Sequence, residues 1–120
     1  MTTQEIASRL VELCRAGEFK KAQQELFSEE AVSIEPHATA AFQKETKGLK
    51  AIFEKGDIWN SMVDKVHSLS VTEPLVAENS IALVIGMDVS MKEGGHRMNI
   101  NELCVYDIKD GKIVTEQFHM

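Results

Sequence analysis

The sequence predicts an α+β domain, a curved antiparallel sheet wrapped around three N-terminal helices in the order α-α-β-α-β-β-β-β. Three observations carry that expectation. Apolar residues recur at helical spacing through the first half of the chain. From Val66 onward, strand-like segments follow one another. Only short turn-like links separate them, which makes a meander of consecutive hairpins. Helices first and strands afterwards define the α+β class. The 120 residues suit a single domain spanning 1–120, and a hydrophobic content of 43% is enough for an ordinary core.

Residues 4–15 place Ile6, Leu10, Leu13 and Cys14 on one helical face, with Thr3 as a candidate N-cap and Gly17 as the break. Residues 18–28 repeat the pattern with Phe19, Ala22, Leu26 and Phe27, so the two helices form a pair. Residues 31–36 read as a short strand that Pro36 stops or confines to an edge, and 37–46 as a loop. The third helix, 47–64, carries a wide apolar stripe through Leu49, Ile52, Phe53, Ile58, Trp59, Met62 and Val63. Gly56 interrupts it as a candidate kink. The four strands are 66–77, 80–92, 97–109 and 112–119. The Asp110-Gly111 pair between the last two suits a two-residue turn with positive φ angles. Strand 80–92 is apolar on both faces, Ile81, Leu83, Ile85, Met87 and Val89 on one, Ala82, Val84 and Gly86 on the other. An antiparallel sheet open to water on one side should be polar there. The second apolar face therefore predicts a homodimer through the outer side of the sheet.

Polar residues in these last strands are the functional lead. A two-residue turn at Asp110-Gly111 places Cys104 opposite Gln117 and Glu102 opposite His119. A three-residue loop centred on Gly95 places Asp88 opposite Glu102 and Val84 opposite Tyr106. Cross-strand partners share a face, so Asp88, Glu102 and His119 form a row, with Gln117 and Tyr106 beside it. A two-residue Gly94-Gly95 turn, or a bulge near Gly86 or Pro74, moves Asp88 off that face. Polar groups set among Ile100, Val84, Cys104, Ile108 and Ile113 describe an apolar pocket. Two facing carboxylates repel, which raises a carboxyl pKa toward the range that acid–base catalysis uses. The competing reading sets the same carboxylates at a solvated rim, paired with Arg97 or Lys92. His37 after Glu35-Pro36 reads as a loop residue that could reach the pocket mouth, and His67 as a structural histidine near Ser90. His96 reads as exposed. Trp59 and Phe53 belong to the helical stripe and are candidate pocket walls.

The totals exclude several classes. A formal net charge of −6 argues against nucleic acid, which needs a basic face. No apolar run approaches the ~18 residues of a membrane span. No metal-ligand spacing, phosphate loop, dinucleotide fingerprint or Gly-x-Ser-x-Gly elbow occurs. Two unpaired thiols, Cys14 and Cys104, and no visible secretory signal predict a cytoplasmic protein.

The helical pair, the short strand, and a third helix with Gly48-Leu49-Lys50-Ala51-Ile52 are followed by Glu102-Leu103-Cys104-Val105-Tyr106. That run leads into Asp110-Gly111-Lys112-Ile113-Val114 and Glu116-Gln117-Phe118. The whole resembles the SnoaL-like, polyketide cyclase-like branch of the nuclear transport factor 2-like superfamily. The resemblance implies a cone-shaped barrel, dimeric through its outer face, with an interior pocket for a small hydrophobic molecule. It also implies acid–base chemistry without metal or organic cofactor. By the same resemblance the strand position of Asp88 is compatible with the family's acid/base, and Glu35 and His37 lie where relatives place catalytic groups. Similar sequences end in aromatic residues, whereas this one ends in His119-Met120. The expected function is a cofactor-independent isomerase or cyclase, with Asp88, Glu102 and His119 catalytic. Tyr106, Gln117, Trp59, His37, Glu35, Phe53, Val84 and Ile100 would line the ligand. The other expectation is a non-catalytic binding or dimerisation module of the same fold.

Overall fold

A computed structural model describes all residues, 1–120. Helix α1 (Thr3–Arg15) and helix α2 (Phe19–Leu26) are followed by strands β1 (Phe27–Ile34) and β2 (Glu45–Lys47), then by helix α3 (Leu49–Met62). Strands β3 (Val63–Val71), β4 (Leu75–Val76), β5 (Ser80–Met91), β6 (Arg97–Lys109) and β7 (Lys112–His119) complete the chain. The seven strands form one curved, unclosed sheet in the order β2-β1-β7-β6-β5-β3, with β4 also pairing β5. All pairs are antiparallel except β1 with β7. The expected α+β architecture is therefore present, a cone whose concave side holds the helices.

Helix α1 fills the concave side with Ile6, Ala7, Leu10, Val11, Leu13 and Cys14. They pack with Leu26, Ala31, Ile81, Leu83, Tyr106 and Ile113 into one continuous core. The N-cap is Thr2, one residue before the expected Thr3. Its hydroxyl accepts from the Glu5 amide while the Glu5 carboxylate accepts from the Thr2 amide, a reciprocal capping box. Three segments depart from expectation. Strand β1 starts at Phe27, directly at the end of α2, well before residue 31. The expected loop contains the short strand β2, which covers the edge of β1. The expected strand 66–77 breaks around Thr72–Pro74 into β3 and β4, where Thr72 Oγ1 takes the Val84 amide at 2.9 Å. Gly56 makes no kink, and α3 runs through it. The cysteines are free and buried, and no helix is long and apolar enough to cross a membrane.

The hairpin at Asp110-Gly111 is as expected. Lys109 pairs with Lys112, and Asp110 and Gly111 take φ angles of 52° and 73°. Both register assumptions built on the neighbouring segments fail. Between β6 and β7 a bulge lies just beyond Ile108↔Ile113, so that Tyr106 faces Glu116, Cys104 faces Phe118 and Leu103 faces His119. Between β5 and β6 the link is longer than three residues, and Met91 N–H bonds the His96 carbonyl at 2.7 Å. Asp88 consequently faces Asn99 instead of Glu102, and Glu102 faces Ile85. Because side chains alternate, each slip by an odd number of residues exchanges the two faces.

Candidate functional site

The inner face of the cone is defined by buried residues on alternate positions. They are Ala31 and Ser33 on β1, Ile81, Leu83 and Val89 on β5, Ile100, Cys104, Tyr106 and Ile108 on β6, and Ile113 and Glu116 on β7. Three carboxylates lie on or next to this face, Glu35 just past the end of β1, Glu102 on β6 and Glu116 on β7. The bulge turns Glu116 inward. It sits beside Ser33 on β1 and opposite Tyr106 on β6, and is only 6% exposed. Helix α3 supplies the one cation. Ile52, Lys55, Trp59 and Met62 share a helical face by spacing. Of the whole helix only Ile52 is buried, so Trp59 and Met62 stay half-exposed above the sheet.

Lys55 joins the group into a chain. Its Nζ lies 2.6 Å from a Glu35 carboxylate oxygen and 2.8 Å from Ser33 Oγ, and Ser33 Oγ donates to Glu116 Oε1 at 2.9 Å. The directions follow from donor inventory. An ammonium can only donate, so Ser33 accepts from Lys55 and gives its own hydrogen to Glu116. Lys55 then retains one N–H, and its Nζ also stands 5.2 Å from the Phe118 ring centroid. The second Glu116 oxygen takes no hydrogen bond from the protein, yet it is not sealed off. The Glu102 carboxylate also has no hydrogen-bond donor. The Lys55 and Glu35 side chains keep 16% and 21% exposure, so the chain opens to solvent.

Burial dominates the electrostatics. It pushes Glu116 up to about 7, against the pull of Lys55 and the Ser33 hydrogen bond, and Glu35 and Glu102 add to the rise. Glu102 is raised by burial and by the Glu35 charge, with Lys55 opposing. Beneath Glu116, burial pushes the Cys14 thiol up to about 12 and holds Cys104 and Tyr106 neutral as well. A carboxyl poised near neutrality, with one oxygen fixed and the other open, can both take and return a proton. No three His, Cys, Asp or Glu side chains converge as a metal ion would require.

The sequence-derived row is corrected by this arrangement. Asp88 lies on the outer face, where Arg97 holds it through two hydrogen bonds of 3.0 and 2.9 Å and lowers its pKa. His119 and Gln117 are exposed on the outer side of β7, and Val84 stands opposite Leu103 on the outer side of β5. Phe53 faces α2, 5.3 Å from Lys20 Nζ, and is no wall of the cone. His37 is exposed beyond β1, and His67 bonds Ser90 Oγ at 2.7 Å as a structural histidine would. Glu102, Tyr106 and Ile100 do lie on the inner face, with Glu35 and Trp59 at its opening. Tyr106 is buried edge-on against Phe27, with centroids 6.4 Å apart at 70°.

Ser33, Lys55 and Glu116 were missed. Two left a signal. Lys55 is a lone cation at helical spacing between Ile52 and Trp59, and Ala31, Ser33 and Glu35 alternate on one strand face. Glu116 left none, because only the bulge brings it inside.

The SnoaL-like domain family matches residues 1–120. A crystal structure from Mesorhizobium loti, named for a SnoaL-like polyketide cyclase, is 31% identical, with all of both chains covered and a TM-score of 0.91. A Bacillus subtilis protein named as an isomerase is 22% identical over 97% of this chain and 84% of its own, with a TM-score of 0.70. A Jannaschia protein named for a SnoaL-like polyketide cyclase is 10% identical over 98% and 83%, with a TM-score of 0.77. The last two likenesses concern the fold alone. No curated protein sequence matches the chain.

Proposed function

The chain belongs to the SnoaL-like family over its full length, and from that premise we propose that it is a cofactor-independent enzyme that shifts a proton on a small apolar carbonyl compound. The observation that carries this reading is Glu116, a carboxyl at the centre of the cone held near pKa 7, with one oxygen fixed by Ser33 and the other open. In the proposed step the Glu116 carboxylate takes a proton from the carbon next to the carbonyl. The C–H electron pair moves into the new C–C double bond, and the carbonyl π pair moves onto oxygen. The remaining N–H of Lys55 stabilises that enolate oxygen. Glu116 then returns the proton to a carbon of the enolate system, so no oxidant, reductant or water is consumed.

Deuterium incorporation tests the step without knowledge of the natural substrate. Small alicyclic and aromatic ketones in D2O, followed by proton NMR, should lose their α-C–H signals faster with the protein than without it. Equal rates across the panel would remove the proton-transfer reading.

We further propose that two copies pair through the outer face of the sheet. Leu75 and Leu103 are 77% and 42% exposed there. An open groove of about 250 Å3 beside them is lined almost wholly by apolar side chains, among them Ala82 and Val105. Apolar surface of this kind is stabilised by a like surface. Light scattering should give twice the chain mass, and Leu103→Lys should return it to the monomer. A wild-type monomer at micromolar concentration would refute the pairing.

A further inference from the structure

We infer that Ser33 is a positioning residue for the proton transfer: oriented by Lys55, its hydroxyl holds one oxygen of Glu116, so that the other oxygen alone meets the substrate. The inference rests on the reading of Glu116 as the base. It adds the group that aims that base and ties it to the cation beside it.

Placement is the first observation. Apart from Cys14, Cys104 and Tyr106, the only buried side chains with a polar group are Ser33 and Glu116, at 0% and 6% exposure. They stand opposite each other on the parallel strands β1 and β7, and Ser33 also pairs with Thr46 of β2. Strand neighbours on both sides therefore fix the backbone that carries the hydroxyl. Direction is the second observation. Lys55 Nζ reaches Ser33 Oγ at 2.8 Å, and Oγ reaches Glu116 Oε1 at 2.9 Å. An ammonium has no lone pair, so the Ser33 hydrogen turns away from Lys55 and toward the carboxylate. Glu35, 2.6 Å from the same Nζ, holds the far end of the chain.

Stability alone does not account for the pair. An apolar pair of the same volume would fill the space without taking a carboxylate out of water. What the hydroxyl supplies is geometry. A carboxylate held at one oxygen keeps the other aimed in one direction, and small errors of aim cost a base much of its rate. The same hydroxyl ties the base to Lys55, whose free N–H receives the enolate oxygen, so the two groups keep a fixed separation.

The hydroxyl also bears on the pH at which the base works. Glu116 is faced by Cys14 of α1, Glu35 just past β1, Lys55 of α3, and Glu102, Cys104 and Tyr106 of β6. Burial keeps both thiols and the phenol neutral. Burial also raises Glu116, while Lys55 and the Ser33 hydrogen bond favour its ionised form. Loss of the hydroxyl therefore raises the Glu116 pKa, and the acidic limb of the exchange profile moves to higher pH.

Ser33→Ala and Ser33→Thr, which retains the hydroxyl, test the assignment in the full chain. One readout is a 13C NMR titration of the Glu carboxyls, with Glu116 identified by the signal missing from Glu116→Gln. The other is exchange of a ketone in D2O. In Ser33→Ala the Glu116 titration should move to higher pH. Above that titration, kcat should fall roughly tenfold or more with KM nearly unchanged. Ser33→Thr should restore most of both. Should Ser33→Ala fail to fold, Ser33→Cys, close in shape and only a weak donor, takes its place. A folded Thr variant as impaired as the Ala variant overturns the inference. So does an Ala variant that keeps the wild-type kcat, whether or not its titration moves. Normal exchange by the wild type in those cases leaves the proton-transfer reading standing. A wild type that exchanges no ketone overturns that reading, and the role of Ser33 with it.

Discussion

Glu116→Gln is expected to make the protein more stable and less active at once. A carboxyl whose pKa rises from 4.5 to about 7 on folding binds its proton more tightly in the folded state. Folding is then favoured at low pH, and stability declines as pH climbs from about 4.5 to about 7, levelling off above that. At 1.36 kcal/mol per pKa unit, the shift corresponds to about 3 kcal/mol lost by pH 8. Gln keeps an oxygen for Ser33 and carries no charge to desolvate. Urea denaturation at about pH 8 should therefore show a gain of about 2 kcal/mol, the remainder being offset because Lys55 loses a nearby negative charge. The variant's stability should also be flatter than the wild type's between about pH 5 and pH 8. Deuterium exchange into ketones should fall by about 10²-fold or more, the usual contribution of a positioned acid or base. A variant that is destabilised at pH 8, or that exchanges at the wild-type rate, would contradict the role given to Glu116.

Lys55→Met is expected to act in the opposite direction on stability. Met keeps an unbranched apolar side chain of similar length, so the loss is mainly that of charge and donors. Glu35 and Ser33 lose their bonds of 2.6 and 2.8 Å, and three carboxylates remain without a cation. Removing one partner of a largely buried pair costs about 3 kcal/mol. The sign with pH is again fixed. Without Lys55 the pKa values of Glu102 and Glu116 rise further, since Lys55 lowers both. The defect should therefore be largest at about pH 8 and shrink toward about pH 5, as the carboxyls take up protons. The acidic limb of the exchange profile, set by Glu116 as the base, should move to higher pH, with a lower maximum. A uniform loss of stability at both pH values would mean that Lys55 contributes packing alone.

The two variants separate what the residue pattern alone revealed from what folding added. Glu102, Tyr106 and Trp59 are identifiable as residues around a pocket because each is a polar or aromatic residue within an apolar period; Ile100 follows from strand alternation and Glu35 from the family resemblance. Asp88, His119, Gln117 and Val84 were placed on the wrong face, although the strands themselves were recognised. Strand periodicity says which residues share a side only while the register holds. One bulge beyond Ile108↔Ile113 exchanged Gln117 and His119 for Glu116 and Phe118. One longer link before Arg97 exchanged Asp88 for Ile85 opposite Glu102.

The helical pair, the third helix, the long meander, the Asp110-Gly111 turn and hence the α+β class are legible in the residue pattern. Each depends on local periodicity or on φ preferences that a short window contains. Which carboxylates meet depends on the folded sheet. A bulge adds one residue wherever sheet curvature requires it, and curvature is a property of the whole cone around α1. The Lys55 chain has the same origin, because α3 and β1 are brought together only when the sheet bends. The polar centre is thus Glu116 with Ser33, Lys55, Glu35 and Glu102, a set joined by packing between distant segments.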